Sequence, residues 1–546
     1  MNTKQLKAKV LDLAIHGKLL SPETVAELKK SPDYETADVL LEKIRKEKEE
    51  KIAKGELKRD KKDSYIFVGD DKRHYEKFAD GNVKDIEDEI PFDVPEGWAW
   101  CQIKNLVKYI GDGDWIESKD QSDKGIRLIQ TGNIGLGNFK DKEGKYHFIS
   151  EQTFNTLQCN EIFEGDILVS RLPEPVGRAC VLPKCNYRMI TAVDCTILRL
   201  NEKIIEKDFF VYYTQSNKYL ELIKENCTGT TRLRISRANL EKIYVPIPPK
   251  LIQKAIVSDI NKYDSTINSI ENDRNDIILT INKAKSKILD LAIHGKLVPQ
   301  DANDEPASVL LEKLRAEKEE KIAKGELKRD KNDSYIYKGS DNCYYQRFAD
   351  EHEDDISEEI SFEIPNNWIW CRLRDIGDYK KGPFGSALKK SLFVQKSNNT
   401  IKVYEQKNAI QKNHKLGNYY ITKDYFNSQM QGFEVLPGDI IVSCAGTIGE
   451  TYVMPENIEK GIINQALMRM RITRFININY FLMYFDHILK EESAKSGKGT
   501  AIKNIPPFDV FKNFLIPIPP YEEQLRIVSK ITEFSIKLDS IANNIE

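Results

Sequence analysis

LLEKIRKEKEEKIAKGELKRDKKDSYI, Leu40–Ile66, returns almost unchanged at Leu310–Ile336 as LLEKLRAEKEEKIAKGELKRDKNDSYI. A segment of that length does not recur by chance, so the chain is a duplicated unit. Outward from this repeat, LDLAIHGKL occurs at Leu11–Leu19 and again at Leu289–Leu297. GWAWC (Gly97–Cys101) answers NWIWC (Asn367–Cys371), and EGDILVS (Glu164–Ser170) answers PGDIIVS (Pro437–Ser443). VPIPP (Val245–Pro249) answers IPIPP (Ile516–Pro520). The offset stays at about 270–278 residues from first motif to last.

Past the first VPIPP, apolar residues alternate at spacings of four and three: Ile256, Ile260, Tyr263, Ile267, Ile270, Ile277, Ile281, Ala284, Ile288 and Leu291, with Arg274 breaking the series. That alternation keeps one apolar edge facing a partner helix and predicts a coiled-coil seam. Pro248 and Pro249 block extension backwards, and Gly295 and Pro299 mark the end. About 40 residues at ~1.5 Å each give a rod of roughly 60 Å. The C-terminal segment restarts the seam with Ile527, Ile531, Phe534, Leu538, Ile541 and Ile545. The N-terminal segment, with Leu6, Val10 and Leu13, matches the end of the central helix. The repeat is therefore circular. The expected fold is α+β, with two variable domains separated by a pair of long antiparallel coiled-coil helices, one continuous and one split, about a pseudo-two-fold axis.

The expected divisions are an N-terminal helix (1–20), a charged helical linker (21–91), a first variable domain (92–249) and the central helix (250–298). A repeated linker (299–361), a second variable domain (362–520) and a C-terminal helix (521–546) follow. Short strands are expected at Ile167–Ser170, Cys195–Leu200, Ile440–Ser443 and Leu467–Ile472, and helical stretches at Phe209–Glu225 and Tyr480–Ser493.

The formal net charge of -2 hides an uneven distribution. Cys371–Pro520 carries 21 Lys/Arg against 13 Asp/Glu, while Cys101–Lys250 carries 22 against 19. Acidic stretches at Asp85–Asp93 and Asp341–Glu363 mask these basic domains. The nine cysteines include no C-x-x-C pair, and no histidine pattern of a zinc site accompanies them, so free thiols in a reducing cytosol are expected. The polar N-terminus is not that of a signal peptide, and no apolar run spans a bilayer, so the expected location is the cytoplasm.

Two separated, basic-leaning domains suit a ligand with its own repeat, and duplex DNA is the obvious one. Arg and Lys pair with guanine edges, Asn and Gln with adenine, while glycine admits phosphates to backbone amides. In the first domain the candidates are Trp115 and Lys119 in GDGDWIESKD, and Arg127, Gln130, Thr131 and Asn133 in IRLIQTGNIG. Arg171 after a strand, and Thr230, Thr231 and Arg232 in TGTTRLR, complete that set. In the second they are Lys381, Ser386, Lys389 and Lys390 in KKGPFGSALKK, and Lys402, Tyr404, Gln406, Lys407 and Asn408 in IKVYEQKNAI. Lys498, Thr500 and Lys503 in SGKGTAIKN align with the TGTTRLR stretch. The near-identical charged helices read as solvated faces with Glu–Lys pairs, with a protein or phosphate contact as the alternative.

Two other readings stand beside DNA recognition. A methyltransferase in this chain would need Asn or Asp directly before Pro-Pro-aromatic, whereas Asn504-Ile505-Pro506-Pro507-Phe508 interposes Ile505. No glycine-rich cofactor loop, Walker loop or paired-carboxylate nuclease core accompanies it. A coiled-coil scaffold that binds only proteins explains the rods, but not two variable domains with matched polar loops.

The rods, LDLAIHGKL, LLEKIR and LLEKLR, GDILVS and GDIIVS, and IPIPP followed by Glu522-Glu523-Gln524 together resemble the specificity subunit of type I restriction–modification systems. The resemblance covers essentially the whole chain. It implies that the two variable domains are target recognition domains, each reading half of a split DNA site, with the helices as a ruler for the spacer. It also implies a non-catalytic subunit that recruits two modification subunits, which methylate adenine with S-adenosylmethionine. Two restriction subunits using ATP and Mg would join them, leaving no cofactor or metal in this chain.

Overall fold

The computed structural model of the chain describes residues 2–56, 58, 63–229, 232–325, 329, 333–445, 447–495 and 508–545. It divides into two units, Met1–Asn275 and Asp276–Ile545.

In the first unit, helices Thr3–Ile15, Pro22–Lys29 and Ala37–Ala53 precede a three-stranded sheet of Ser64–Val68, His74–Phe78 and Val83–Asp85. This sheet departs from the expected helical linker. The short β-branched and aromatic run Tyr65-Ile66-Phe67-Val68 is a strand signal that surrounding charge obscured. The charged helix docks on it through Arg45, 4.0 Å over the Tyr65 ring, and Lys48, 2.7 Å from Asp63.

The following domain mixes helix and sheet, as expected. A four-stranded antiparallel sheet runs in the order Ala179–Val181, Ile167–Ser170, Cys195–Leu200, Val107–Asp112. Ile167–Ser170 is buried at every position, which is why its first three residues are all apolar. A second sheet runs Gln121–Ser122, His147–Ile149, Ile126–Ile129, Met189–Thr191, Glu161–Ile162, with Ile126–Ile129 and Met189–Thr191 parallel. The stretch Phe209–Glu225 is two helices, Lys207–Thr214 and Asn217–Glu225, because the Ser216 hydroxyl accepts the Tyr219 N–H (3.2 Å) and starts a new helix. Two recurring motifs pair with each other: Ala99–Gln102 runs antiparallel to Tyr244–Ile247, Trp100 opposite Pro246. A two-stranded sheet tolerates that proline because its strands have free edges.

The second unit repeats the frame. Its domain sheets run Gly377–Lys381, Leu467–Ile472, Ile440–Ser443, Thr451–Val453, and Tyr420–Thr422, Thr400–Tyr404, Gly461–Ile463, Glu434–Val435. The second expected helical linker likewise holds a three-stranded sheet, Ser334–Lys338, Tyr344–Phe348 and Glu353–Asp355. Thr400–Tyr404 and Gly461–Ile463 are parallel, and Ile369–Arg372 pairs with Leu515–Ile518. Arg315 over Tyr335 (4.0 Å) and Lys318 on Asp333 (2.6 Å) repeat the docking of the charged helix. The helix Ile478–Lys495 covers the stretch expected at Tyr480–Ser493.

The central helix is Lys250–Ile293. Within the first unit the N-terminal helix runs antiparallel to it: Lys7 pairs with Asp264 (3.2 Å) and the Thr3 hydroxyl donates to Glu271 (2.5 Å). Ile256, Ile260 and Ile267 are buried there, but Ile270 is 47% exposed and leaves the seam. The N-terminal helix begins at Thr3, which places a hydroxyl rather than an apolar side chain beside that turn. Within the second unit Ile281 and Ile527 are buried, Ile531 and Leu538 half-buried, and Lys285 meets Asp539 at 2.5 Å. Ile541 is 47% exposed and is likewise not a seam residue.

LDLAIHGKL is a helix stop. Gly17 and Gly295 both have φ +66°, the left-handed cap conformation, and a Cβ on either would overlap the ring of Pro95 or Pro365. The His16 ring packs 4.2 Å from that of Phe92, and His294 4.1 Å from Phe362, both tilted. The nine cysteines are all free. Among the described residues, no helix is long and apolar enough to cross a membrane.

In each unit a short helix follows the motif strand, Ile103–Leu106 or Leu373–Ile376, and its third residue is Asn105 in one and Asp375 in the other. Burial pushes the Asp375 carboxyl up to about 6. A raised acid favours the fold below its ordinary value and loses that contribution as pH climbs towards 6. Asp375→Asn should therefore match the parent near pH 4 and exceed it at pH 8 by ~1–3 kcal/mol. Urea melts at the two pH values check this, and an equal effect at both would refute it.

Candidate nucleic-acid interface

The candidate loops gather at the C-terminal ends of the two parallel strands of each domain. In the first, Gln130 follows Ile126–Ile129, and the Asp114 N–H donates to Thr191 (2.8 Å) at the end of the neighbouring strand. In the second, Glu405 follows Thr400–Tyr404, and Asn464 follows Gly461–Ile463 with its N–H on Tyr404 (3.0 Å). Arg234, which ends the TGTTRLR stretch, reaches the same end: it pairs with Asp194 (2.8 Å), and the following Ile235 N–H donates to the Arg171 carbonyl (3.3 Å).

Several candidates turn out to hold the frame. Arg127 is 3% exposed, paired with Asp141 and 3.8 Å under the Tyr146 ring. Lys402, at the same strand position, is 1% exposed and donates to the His414 carbonyl (2.8 Å), with Glu459 at 3.7 Å. Burial pushes its ammonium below the usual lysine value. Asn133 accepts the Gln130 N–H (3.0 Å) and donates to the Lys140 carbonyl (2.9 Å). Asn408 does the same with Glu405 (2.7 Å) and with Asn413 and Leu416 (2.8 and 2.9 Å). These amides are buried and turned to backbone groups rather than presented to a base. Tyr404 is buried and donates to the Glu459 carbonyl (2.6 Å). Arg171, also buried, holds the Val193 carbonyl and lies 3.5 Å from Asp112.

The others face solvent. Trp115, Lys119 and Arg232 are exposed, and Gln130 and Thr131 half-exposed, in the first domain. Lys381, Ser386, Lys389, Lys390 and Lys407 are exposed, and Gln406 half-exposed, in the second. Lys119 pairs with Glu117 and Lys407 with Glu405. Thr230, Thr231, Lys498, Thr500, Lys503 and the Asn504–Pro507 part of the near-miss motif lie outside the described residues.

Five positioning residues, of three kinds, escaped the sequence reading. Arg178 is buried and donates to the carbonyls of Thr131, Ile134, Leu172 and Pro175 at 2.7–2.9 Å, which shapes the loop after Ile126–Ile129. The aspartate of each GDI motif pins an arginine on the adjacent strand, Asp166 with Arg199 (2.9 Å) and Asp439 with Arg471 (2.7 Å). Gln253 and Gln524, both buried, anchor the start of the long helices: each donates to a carbonyl of the proline motif and accepts an N–H, from Glu206 and Asn477 respectively. Their equal places in the two repeats were the available signal for the aspartates and glutamines; Arg178 had none.

A family model described as the type I restriction modification DNA specificity domain matches residues 95–279 and 353–546, and the chain belongs to that family, the specificity subunits of type I restriction–modification systems. It is 24% identical to the type I restriction enzyme EcoAI specificity subunit of Escherichia coli, over 97% of this chain and 88% of that one. The EcoEI specificity subunit of Escherichia coli is 23% identical over 100% of this chain and 91% of its own. A solved chain from work on complex assembly and conformational transition of the type I R-M system shares the fold, with a TM-score of 0.50, 14% identity and coverage of 83% and 94%.

Proposed function

We propose that this chain reads a bipartite DNA site, one half per target recognition domain, and scaffolds the subunits that act on it. The observation that carries this is one two-sheet frame built twice, with unlike loops at the same end of each copy. A shared frame suits a shared task, and different loop chemistry suits different bases. The buried seams in each unit support stiff antiparallel helices that set the spacing, in a circular, pseudo-two-fold arrangement. Two methyltransferase subunits carry S-adenosylmethionine and adenine methylation, and two restriction subunits carry ATP, Mg and cleavage. The chain itself contributes recognition and no catalysis.

The test is methylome sequencing of a host expressing the assembled complex. Expected is methylated adenine at a split motif with an unread spacer. Modification directed by one uninterrupted motif would overturn the reading. Lys389→Ala and Lys390→Ala should weaken binding evenly across sequences and lower the salt slope by about 1 each. Titrations at several salt concentrations check this, and a changed motif with an unchanged slope would contradict it.

A further inference from the structure

Among the described residues the two most exposed large hydrophobic side chains are Phe384, at 89%, and Trp115, at 70%. They belong to dissimilar loops, KKGPFGSALKK and GDGDWIESKD, yet they stand at the same place. The Gly113 N–H donates to the Cys195 carbonyl (2.9 Å), at the first residue of Cys195–Leu200. The Gly382 N–H donates to the Leu467 carbonyl (2.9 Å), at the first residue of the equivalent strand Leu467–Ile472. Each glycine lies against the backbone at the end of a parallel strand, Thr191 and Ala192 in one case and Asn464 in the other, with no room for a Cβ. The aromatic residue follows two positions later in both loops.

One exposed apolar side chain is ordinary. Two at matching places, on loops fastened by the same hydrogen bond and the same close-packed glycine, are a repeated device. The fastening removes much of the conformational freedom that binding would otherwise cost. We infer that Trp115 and Phe384 are aromatic wedges that stack on nucleobases, one in each half-site. The inference rests on the DNA-reading function proposed above. Base faces are sequence-tolerant stacking partners, which suits a device kept while the surrounding loop changes.

The local charge allows it. Lys381, Lys389 and Lys390, in the same KKGPFGSALKK stretch as Phe384, are exposed. Around Trp115 the carboxylates are engaged: Asp112 with Arg171 and Arg237 (both 3.5 Å), Glu117 with Lys119 (2.8 Å) and Asp114 with Asn160 (2.9 Å). Asp120 accepts the Glu117 N–H (3.0 Å), and the Trp115 indole N–H donates to Glu117 (3.3 Å).

Tryptophan fluorescence tests this on the assembled complex. The other four tryptophans, Trp98, Trp100, Trp368 and Trp370, are at most 8% exposed, so Trp115 is the one a soluble quencher reaches. A complex carrying Trp115→Phe supplies the background to subtract, including tryptophans of partner subunits. Duplex carrying the target should quench the Trp115 emission and shield it from acrylamide, and Phe384→Trp should create the same signal in the second domain. Trp115→Ala and Phe384→Ala should each weaken target binding roughly 10- to 100-fold, with Trp115→Phe and Phe384→Trp retaining it within about threefold. Sequence-selective binding that leaves Trp115 open to quencher would overturn the wedge and leave the proposed function standing. Shielding on subunit assembly before DNA is added would assign the residue to a protein contact and overturn it too. A complex that binds no DNA would sink both.

Discussion

Ile260→Asp should unfold the first unit, whereas Ile270→Asp, a few turns along the same helix, should cost little. Ile260 is 1% exposed beside Ile256, Val10 and Leu11 in one apolar cluster. Truncating such a residue costs ~2–5 kcal/mol, and a carboxylate left without a partner adds several more, or must take up a proton. The sum is about the whole stability of a typical domain, ~5–15 kcal/mol. Ile270 is 47% exposed, so a charge there stays in water and should cost less than ~1 kcal/mol. Urea denaturation followed by emission from the buried Trp98 and Trp100 separates the two. Equal destabilisation by both variants would mean that Ile270 packs in the seam after all.

The second large effect is on specificity. Placing a copy of residues 362–520 where 92–249 now stand should yield a target whose two halves are the same sequence in inverted orientation. The exchange is structurally matched, because both domains close with the same pairing of motif strands, Ala99–Gln102 with Tyr244–Ile247 and Ile369–Arg372 with Leu515–Ile518. Modification of the original target should fall by ~10³-fold or more, the usual gap between specific and non-specific sites. Methylome sequencing reads the outcome. Halves repeated head to tail would refute the two-fold arrangement, and an unchanged target would refute reading by domain.

The duplication and the α+β class were legible in the sequence because both are written in local patterns. A repeat needs only comparison of the chain with itself, and strands announce themselves by short apolar runs, as in Ile167–Ser170, or by apolar residues alternating with polar ones, as in Leu467–Ile472. Ile256, Ile260 and Ile267 followed from the same logic, since a helix turns at a fixed pitch. The seam failed at Tyr263, Ile270, Ile277 and Ile541, all 41–47% exposed, where periodicity continues but burial depends on what the neighbouring helix presents.

The site was less legible. Arg127 and Asn133 have the chemistry of base readers, as do Lys402 and Asn408, yet each is spent inside the domain. Their partners, Asp141, Lys140, Glu459 and Asn413, come from loops whose approach no spacing rule reveals. The equivalence of Trp115 and Phe384 was hidden for the converse reason: their loops share little sequence, and only a common hydrogen bond and a common glycine contact align them. By itself, then, the sequence determined that there are two copies of one design, their element types and their family. Tertiary structure decided which polar side chains are free to meet a ligand, because burial and hydrogen-bond satisfaction depend on how loops fold back on the strands, from Asn413 on Asn408 to Glu459 beside Lys402.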